Sequence, residues 1–281
     1  MNAKKDLILV TGASGTIGSE LTRILTAQAY QVRTTTSKTP KDASSVQVNF
    51  ATGEGIRSAF EGVDKVFLIS PPGYADQYKI LSPLIQEARR RGVKKVVLMT
   101  ALGANASEDT PFRRAEIELE KSGLKYNIVR PNWFMQNFNT FWVQGIREQE
   151  KIELPAGKAK TSFIDARDIS AVIATLLTTD KFDNKAFDLT GPHALDHDEV
   201  AKEISGSIAK KISYQEIQPD DLKRGLLGAG LPEDYTHFLI MIFGFLREGY
   251  NAPVTSSVRD ILGREPGNFT QYARDFKHAW M

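Results

Sequence analysis

Leu7-Ile8-Leu9-Val10-Thr11-Gly12-Ala13-Ser14-Gly15-Thr16-Ile17-Gly18 is the stretch on which the reading of the whole chain turns. Four apolar residues make a strand, and a helical pattern, Ile17–Ala29, has begun before the third glycine is passed. The three glycines sit in the link. Gly12 permits a tight turn, Gly15 lets backbone approach a pyrophosphate, and Gly18 allows helix and strand to pack closely. The opening of the helix offers free N–H groups and the positive end of its dipole to phosphates. The alternative is a plain structural turn between strand and helix. Because the triplet joins the first strand to the first helix, nucleotide binding is the better reading.

Outward from this turn the first half of the chain alternates strand and helix. Strands are expected at Leu7–Val10, Gln31–Thr36, Val46–Asn49, Lys65–Ile69, Lys94–Thr100 and Lys125–Arg130. Helical patterns fill Ile17–Ala29, Gly55–Phe60, Tyr74–Arg91 and Pro111–Ser122. The strands are near-continuous in Val, Ile and Leu, as a parallel sheet covered on both faces requires. The fold class is α/β: a Rossmann-type doubly wound parallel sheet with a smaller C-terminal α/β lobe. The expected division is 1–155 for the dinucleotide-binding domain and 156–281 for a substrate or lid lobe packed against it, with strands free to return to the first sheet. In that second part Asn132–Gln149 reads as an aromatic-rich helix and Thr161–Ile164 as a strand. Asp168 reads as the cap of a helix Asp168–Thr178, followed by a strand Lys185–Leu189, a helix Asp198–Ile208 and a closing helix Phe269–Trp280. Leu239–Leu246 is either a lid over the site or a core helix, and its all-round apolarity favours core.

Composition narrows the class. The 281 residues carry 36 basic and 34 acidic side chains, a net charge of +2, so no strong field recruits nucleic acid or a membrane surface. The absence of cysteine excludes disulfides, thiolate metal sites and cysteine nucleophiles. Lys4 and Lys5 precede an apolar run too short for a signal peptide, and no later run approaches a membrane span. A cytoplasmic protein acting on a small molecule is expected.

The second strand bears on the choice of dinucleotide. An acidic residue at its end would bind a ribose 2′-hydroxyl. This chain has Arg33-Thr34-Thr35-Thr36-Ser37-Lys38, with no carboxylate before Asp42. Thr36, Ser37 and Lys38 can hydrogen-bond and neutralise a 2′-phosphate, which points to NADPH over NADH. Arg33 either assists or faces solvent.

A tyrosine followed four residues later by lysine would supply a proton donor for carbonyl reduction. The helix expected to carry it, Pro111–Ser122, has no tyrosine, and Tyr74, Tyr78 and Tyr126 have no lysine at that spacing. Thr100, at a strand end, is a weak candidate for a hydroxyl aimed at nicotinamide or substrate, or else bonds backbone. Tyr74 and Tyr78 are equally weak catalytic candidates.

The glycine turn, Ser70-Pro71-Pro72, Leu98-Met99-Thr100-Ala101, Arg130-Pro131-Asn132-Trp133-Phe134-Met135-Gln136-Asn137 and Phe163-Ile164-Asp165-Ala166-Arg167-Asp168-Ile169 together resemble the NmrA-like atypical short-chain dehydrogenases/reductases. That family includes quinone and dye reductases as well as sensors that bind NAD(P) without turnover. Leu231-Pro232-Glu233-Asp234-Tyr235 and Phe269 to Met281 further resemble its festuclavine-synthase branch, which reduces an iminium. The resemblance implies that Gly12, Ser14, Thr16 and Ile17 line the pyrophosphate and that Ser70, Pro71 and Pro72 pack along the ribose. It also implies that Thr100, Ala101 and Leu102 lie near the nicotinamide, with Pro131 to Phe134 flooring the pocket. Asn49 stands where relatives carry an acid for the adenine amine, and its amide oxygen can accept the same bond.

A reductase without the acid–base pair suits an acceptor already poor in electrons. An iminium or a cationic dye is neutralised by hydride alone, and a quinone-type compound, already electron-poor, takes hydride to a stabilised anion that water can protonate, so the protein's part is orientation and exclusion of water. Tyr74, Trp133, Phe134 and Phe138 are the substrate candidates, with Tyr78, Phe141 and Trp142 beside them. For Phe138, Phe141 and Trp142 a core role is the stronger reading. The expected function is thus an NADPH-dependent oxidoreductase of a small conjugated, iminium or quinone-type acceptor, and the alternative is a non-catalytic NAD(P)-sensing regulator. His193 and His197 do not read as a metal pair. Asp165 and Asp168 read as a strand end and a helix cap, and Arg113 to Lys121 as a solvated charged helix surface on which only Glu116 stands out for a local role.

Overall fold

The computed structural model describes residues 5–40 and 42–281; Lys4, invoked above, lies outside them. In chain order the elements are β1 (Leu7–Val10), α1 (Thr16–Ala27), β2 (Gln31–Thr36), β3 (Ser45–Gln47), α2 (Ile56–Ala59), β4 (Lys65–Ile69), α3 (Gln77–Arg91), β5 (Lys95–Met99), α4 (Pro111–Glu120) and β6 (Lys125–Pro131). They continue with α5 (Val143–Gln149), β7 (Lys151–Leu154), α6 (Ala166–Thr178), β8 (Lys185–Leu189), α7 (His197–Ile208), β9 (Ser213–Glu216), α8 (Pro219–Gly228), α9 (Glu233–Arg247), α10 (Ser257–Leu262) and α11 (Phe269–Asp275). No described helix is long and apolar enough to cross a membrane.

The chain divides into two compact units. The first comprises the described residues up to Pro72, Asp76–Arg130 and Ile169–Asp188; the second comprises Gly73–Ala75, Pro131–Asp168 and Leu189–Met281. A single cut near residue 155 does not describe this division, because Ile169–Asp188 belongs with the first unit.

The first unit is built on the sheet β3-β2-β1-β4-β5-β6-β8, with β1 to β6 paired in parallel. This is the doubly wound architecture expected from the alternation of strand and helix, with a seventh strand added beyond β6. The order reverses between β1 and β4, and in open α/β sheets ligands bind at that switch, outside the carboxyl ends of the strands. β5 is buried at every position, as a strand sandwiched between helical layers must be. One layer packs Leu81, Leu84, Ile85 and Ala88 of α3 with Ala115 and Leu119 of α4 onto Leu9, Val66, Leu68, Val96 and Leu98.

The second unit holds the parallel pair β7 and β9 and a core rich in rings. Four expectations are corrected here. Thr161–Ile164 is no strand: Thr161 bridges antiparallel to Leu195 and Ile164 parallel to Phe134, so the two ends find different partners and no ladder forms. Asn132–Gln149 is not one helix but a 3-10 turn, Met135–Asn139, followed by α5, because its polar side chains reach out to other segments. The Asn132 amide donates to the Asn251 carbonyl at 2.8 Å, and Gln136 donates to Asp165 at 2.9 Å. Asp165, not Asp168, caps α6: its carboxylate accepts the Arg167 N–H at 2.8 Å, whereas Asp168, inside the helix, accepts from Arg264 and the Gly267 N–H. The last helix stops at Asp275, and Trp280 returns to the core, its indole donating to the Phe138 carbonyl at 2.7 Å. Leu239–Leu246 is neither wholly core nor wholly lid, since Phe243 and Leu246 are buried while Met241 and Phe245 are exposed.

Candidate functional site

The glycine turn lies in the first unit, between β1 and α1. Gly12 takes a left-handed conformation with φ of 65°, and a Cβ there would lie 2.8 Å from the Ile69 side chain. A Cβ on Gly18 would lie 2.3 Å from the Gly12 carbonyl oxygen. The fold itself therefore requires both glycines. Gly15 differs. Its backbone, φ −86° and ψ 173°, suits any residue, and a Cβ would meet only the Gly12 oxygen at an ordinary 3.4 Å. Nothing inside the protein demands a bare backbone there. Ser14, Gly15 and Thr16 are exposed, and no side chain caps α1 at Gly15. The first-turn N–H groups thus face outward without a side-chain acceptor, beside a backbone that a bulky oxyanion can approach. Ile17 and Gly18 are buried.

Beside the turn a cavity of about 420 Å³ has Ala13, Ser14, Thr36, Ser37, Lys38 and Asp42 among its lining residues. The cavity thus gathers Ser14 from the turn and all three residues expected to meet a 2′-phosphate. Thr36 holds the local backbone by accepting the Lys38 N–H at 3.1 Å. Arg33 turns elsewhere: its guanidinium donates to the carbonyls of Ala59 and Glu61, and among the described residues of the lining Lys38 is the cation.

Other expected contacts in this unit are already committed. The exposed Asn49 accepts the Ala51 and Thr52 N–H groups at 3.0 and 3.2 Å on its amide oxygen, so both lone pairs close its own turn. The Ser70 hydroxyl donates to the Pro71 carbonyl at 3.3 Å, and Pro72 is exposed. Ala101 and Leu102 are half-buried just beyond β5. Tyr78 lies on α3 under the Arg114 guanidinium, 4.1 Å from its ring centre.

Thr100 bonds neither backbone carbonyl nor open space through its hydroxyl, which donates to Glu116 at 2.7 Å. Glu116 is thus set apart from the charged surface of α4, in line with the local role read for it from the sequence. Glu116 is 0% exposed, and the Arg130 guanidinium grips it with Nε and Nη2 at 2.9 and 2.8 Å. Arg113 adds a further bond at 2.9 Å. Burial pushes the carboxyl's pKa up, but bonds from Arg130, Thr100 and Arg113 outweigh it and hold the group below its ordinary value. The i, i+3 spacing of Arg113 and Glu116 was visible in the sequence; that the pair faces Arg130 was not.

The second unit contains the aromatic candidates. Trp133 and Phe134 are half-buried, as are Tyr74 and Trp142. Trp133 lies 4.8 Å from Phe243 and 6.1 Å from Trp142, ring centre to ring centre. Pro131 is buried. Phe138 is corrected from substrate candidate to core: it is 0% exposed, edge-on to Trp142, Phe163 and Phe269. Phe141, by contrast, is exposed. Sequence reasoning passed over Tyr235 on α9, which is half-buried and whose phenol receives a backbone hydrogen bond from Gly73, next to Tyr74. Its only signal was its place in the Leu231–Tyr235 stretch. Among the described residues no three acids or histidines gather as a metal site.

Residues 4–272 match the NmrA-like family. The chain is 32% identical over 281 residues to the NAD(P)H azoreductase of Xenophilus azovorans, covering 95% of this chain and 97% of that relative. It is 28% identical to the agroclavine dehydrogenase of Claviceps fusiformis, covering 98% of each. The crystal structure of the Citrobacter sp. triphenylmethane reductase complexed with NADP(H) superposes with a TM-score of 0.80 at 21% identity, covering 96% of this chain and 99% of that one.

Proposed function

The chain belongs to the NmrA-like family, and from that premise we propose that it is an NADPH-dependent reductase of a small conjugated, iminium or quinone-type acceptor. The observation that carries the reading is the bare backbone at Gly15. It opens the uncapped start of α1 to a diphosphate, and the Thr36–Lys38 cavity lies beside it. When bound, NADPH supplies the hydride. Ser14, Gly15 and Thr16 would hold the diphosphate, and Thr36, Ser37 and Lys38 the 2′-phosphate. Thr100 to Leu102 would lie along the nicotinamide end, with Ser70 to Pro72 along the ribose. Trp133, Phe134 and Tyr74 would orient a flat acceptor and keep water from it. α4 carries no tyrosine, and the Thr100 proton is committed to Glu116. An acceptor that hydride neutralises, or converts to a stabilised anion that takes its proton from water, fits this residue set better than a ketone that needs a protein proton donor.

A panel of quinones, imines, azo compounds and cationic dyes, each with NADPH and followed by loss of reduced-nicotinamide absorbance, tests the proposal. Turnover with the electron-poor members and none with simple ketones is expected. Saturable NADPH binding without consumption across the panel would replace it with the NAD(P)-sensing role. The cofactor preference has a separate test. Changing Ser37 and Lys38 together to Ala removes charge-assisted contacts and is expected to weaken NADPH by about 10- to 100-fold while sparing NADH. Equal weakening of both would refute the assignment.

A further inference from the structure

Glu116 has a full set of partners. Oε1 accepts from the Thr100 hydroxyl at 2.7 Å and Arg130 Nε at 2.9 Å; Oε2 accepts from Arg130 Nη2 at 2.8 Å and Arg113 Nη1 at 2.9 Å. Four donors occupy the four lone-pair positions of a carboxylate, so no site is left on it to take a proton from a substrate. What the group does instead is hold two neighbouring strand ends. Met99 and Val129 are paired in the β5–β6 register, so Thr100 and Arg130 are the next residues along, at the carboxyl ends where an open parallel sheet binds its ligand. Thr100 is fixed twice, its N–H on the Val129 carbonyl at 3.0 Å and its hydroxyl on Glu116 of α4. Directly after it the chain leaves the sheet through Ala101 and Leu102.

We propose that Glu116 is a positioning residue for hydride transfer: by clamping Thr100 to Arg130 it sets the path of Thr100–Leu102, and so the placement of the nicotinamide. This rests on the function proposed above. The diphosphate and 2′-phosphate of the cofactor would have their own residues at 14 to 16 and 36 to 38, so the clamp governs reactivity and not affinity. Displacing reacting groups by about 1 Å costs on the order of 100-fold in rate while leaving remote contacts intact.

Thr100→Val, Glu116→Gln and the double variant test this in the full-length chain, through NADPH titration, the emission of the bound nicotinamide, and kcat and KM for an acceptor the parent reduces. Each single variant is expected to keep the NADPH Kd and acceptor KM within about 3-fold. Each is expected to lose about 10- to 100-fold in kcat and to shift nicotinamide emission toward that of free NADPH. The double variant should be no slower than the worse single one, since both break the same link. Unchanged kcat and emission with only a lowered melting temperature would overturn the proposal, as would losses that multiply in the double variant. If Glu116→Gln does not fold, Thr100→Val decides alone, because it removes one hydroxyl and keeps the side-chain shape. A parent chain that binds no NADPH refutes the functional reading, and the clamp's role with it, before any variant is compared.

Discussion

Gly15→Val leaves the protein folded and weakens NADPH by at least ~100-fold, about 3 kcal/mol. The two halves of this result come from separate observations. The fold tolerates the change because Gly15 sits in extended backbone open to any residue and a Cβ there meets nothing nearer than 3.4 Å. Replacing glycine at a helix N-cap costs only about 1 kcal/mol or less. Binding fails because two methyl groups would occupy the approach that a diphosphate needs to reach the N–H groups of the first turn. Gly18→Ala gives the opposite pattern. Its Cβ would lie 2.3 Å from the Gly12 oxygen and 2.7 Å from the Ala13 Cα, so the strand–helix contact must open and thermal stability falls. Circular dichroism melts paired with NADPH fluorescence titration separate the two glycines. A Gly15→Val chain that binds NADPH like the parent, or that no longer folds, would remove the diphosphate site from this turn.

The first unit was legible because its signals are local. Apolar runs of four to six residues, too short for helices and bounded by glycine or charge, read as buried strands, and helical patterns between them leave one sensible topology. Gly12 and Gly18, which the packing of the turn requires, were legible for the same reason. What escaped were roles assigned by residues far away in sequence. Glu116 stood out from the charged residues around it on α4, but its partner did not, because Arg130 lies on β6 and meets it only in the fold. Phe138 and Trp133 lie five residues apart in one aromatic stretch, yet one is sealed in the core and the other half-exposed. Hydrophobicity alone cannot separate them, because the rings that enclose Phe138 include Phe163 and Phe269, far from it in sequence. The polar residues of 132–137 favour a helix by periodicity, but they bind Asn251, Ser162 and Asp165, and the helix is given up for those bonds.

His197 makes the second unit sensitive to mild acid. In the sequence it sits between two aspartates. In the structure Asp196 and Glu199 form a reciprocal capping box, each side chain and backbone N–H meeting at 2.8 Å, and this starts α7 with His197 turned inward. The imidazole is 0% exposed, its two nitrogens have no hydrogen-bond partner among the described residues, and the rings of Phe138, Trp142, Phe163 and Tyr214 surround it. Burial lowers its pKa to about 4 against a weak opposing pull from Asp198, and Tyr214 is the other titratable group at its ring. In the unfolded chain the same group protonates near 6.5. Between those values the unfolded state binds more protons, so stability is whole above about pH 6.5 and declines as pH falls toward 4. From pH 7.5 to 5 the loss is about 2 kcal/mol. Carboxylates such as Asp6 and Glu87, held low chiefly by Lys94 and Arg90, add their own losses only at more acidic pH, which leaves this window to the histidine. His197→Phe puts a ring of similar size into a cage of rings and has nothing to protonate. Urea midpoints measured at pH 7.5 and 5 should therefore fall for the parent and stay nearly level for the variant. An equal fall in both would show that the buried imidazole is not the group that titrates.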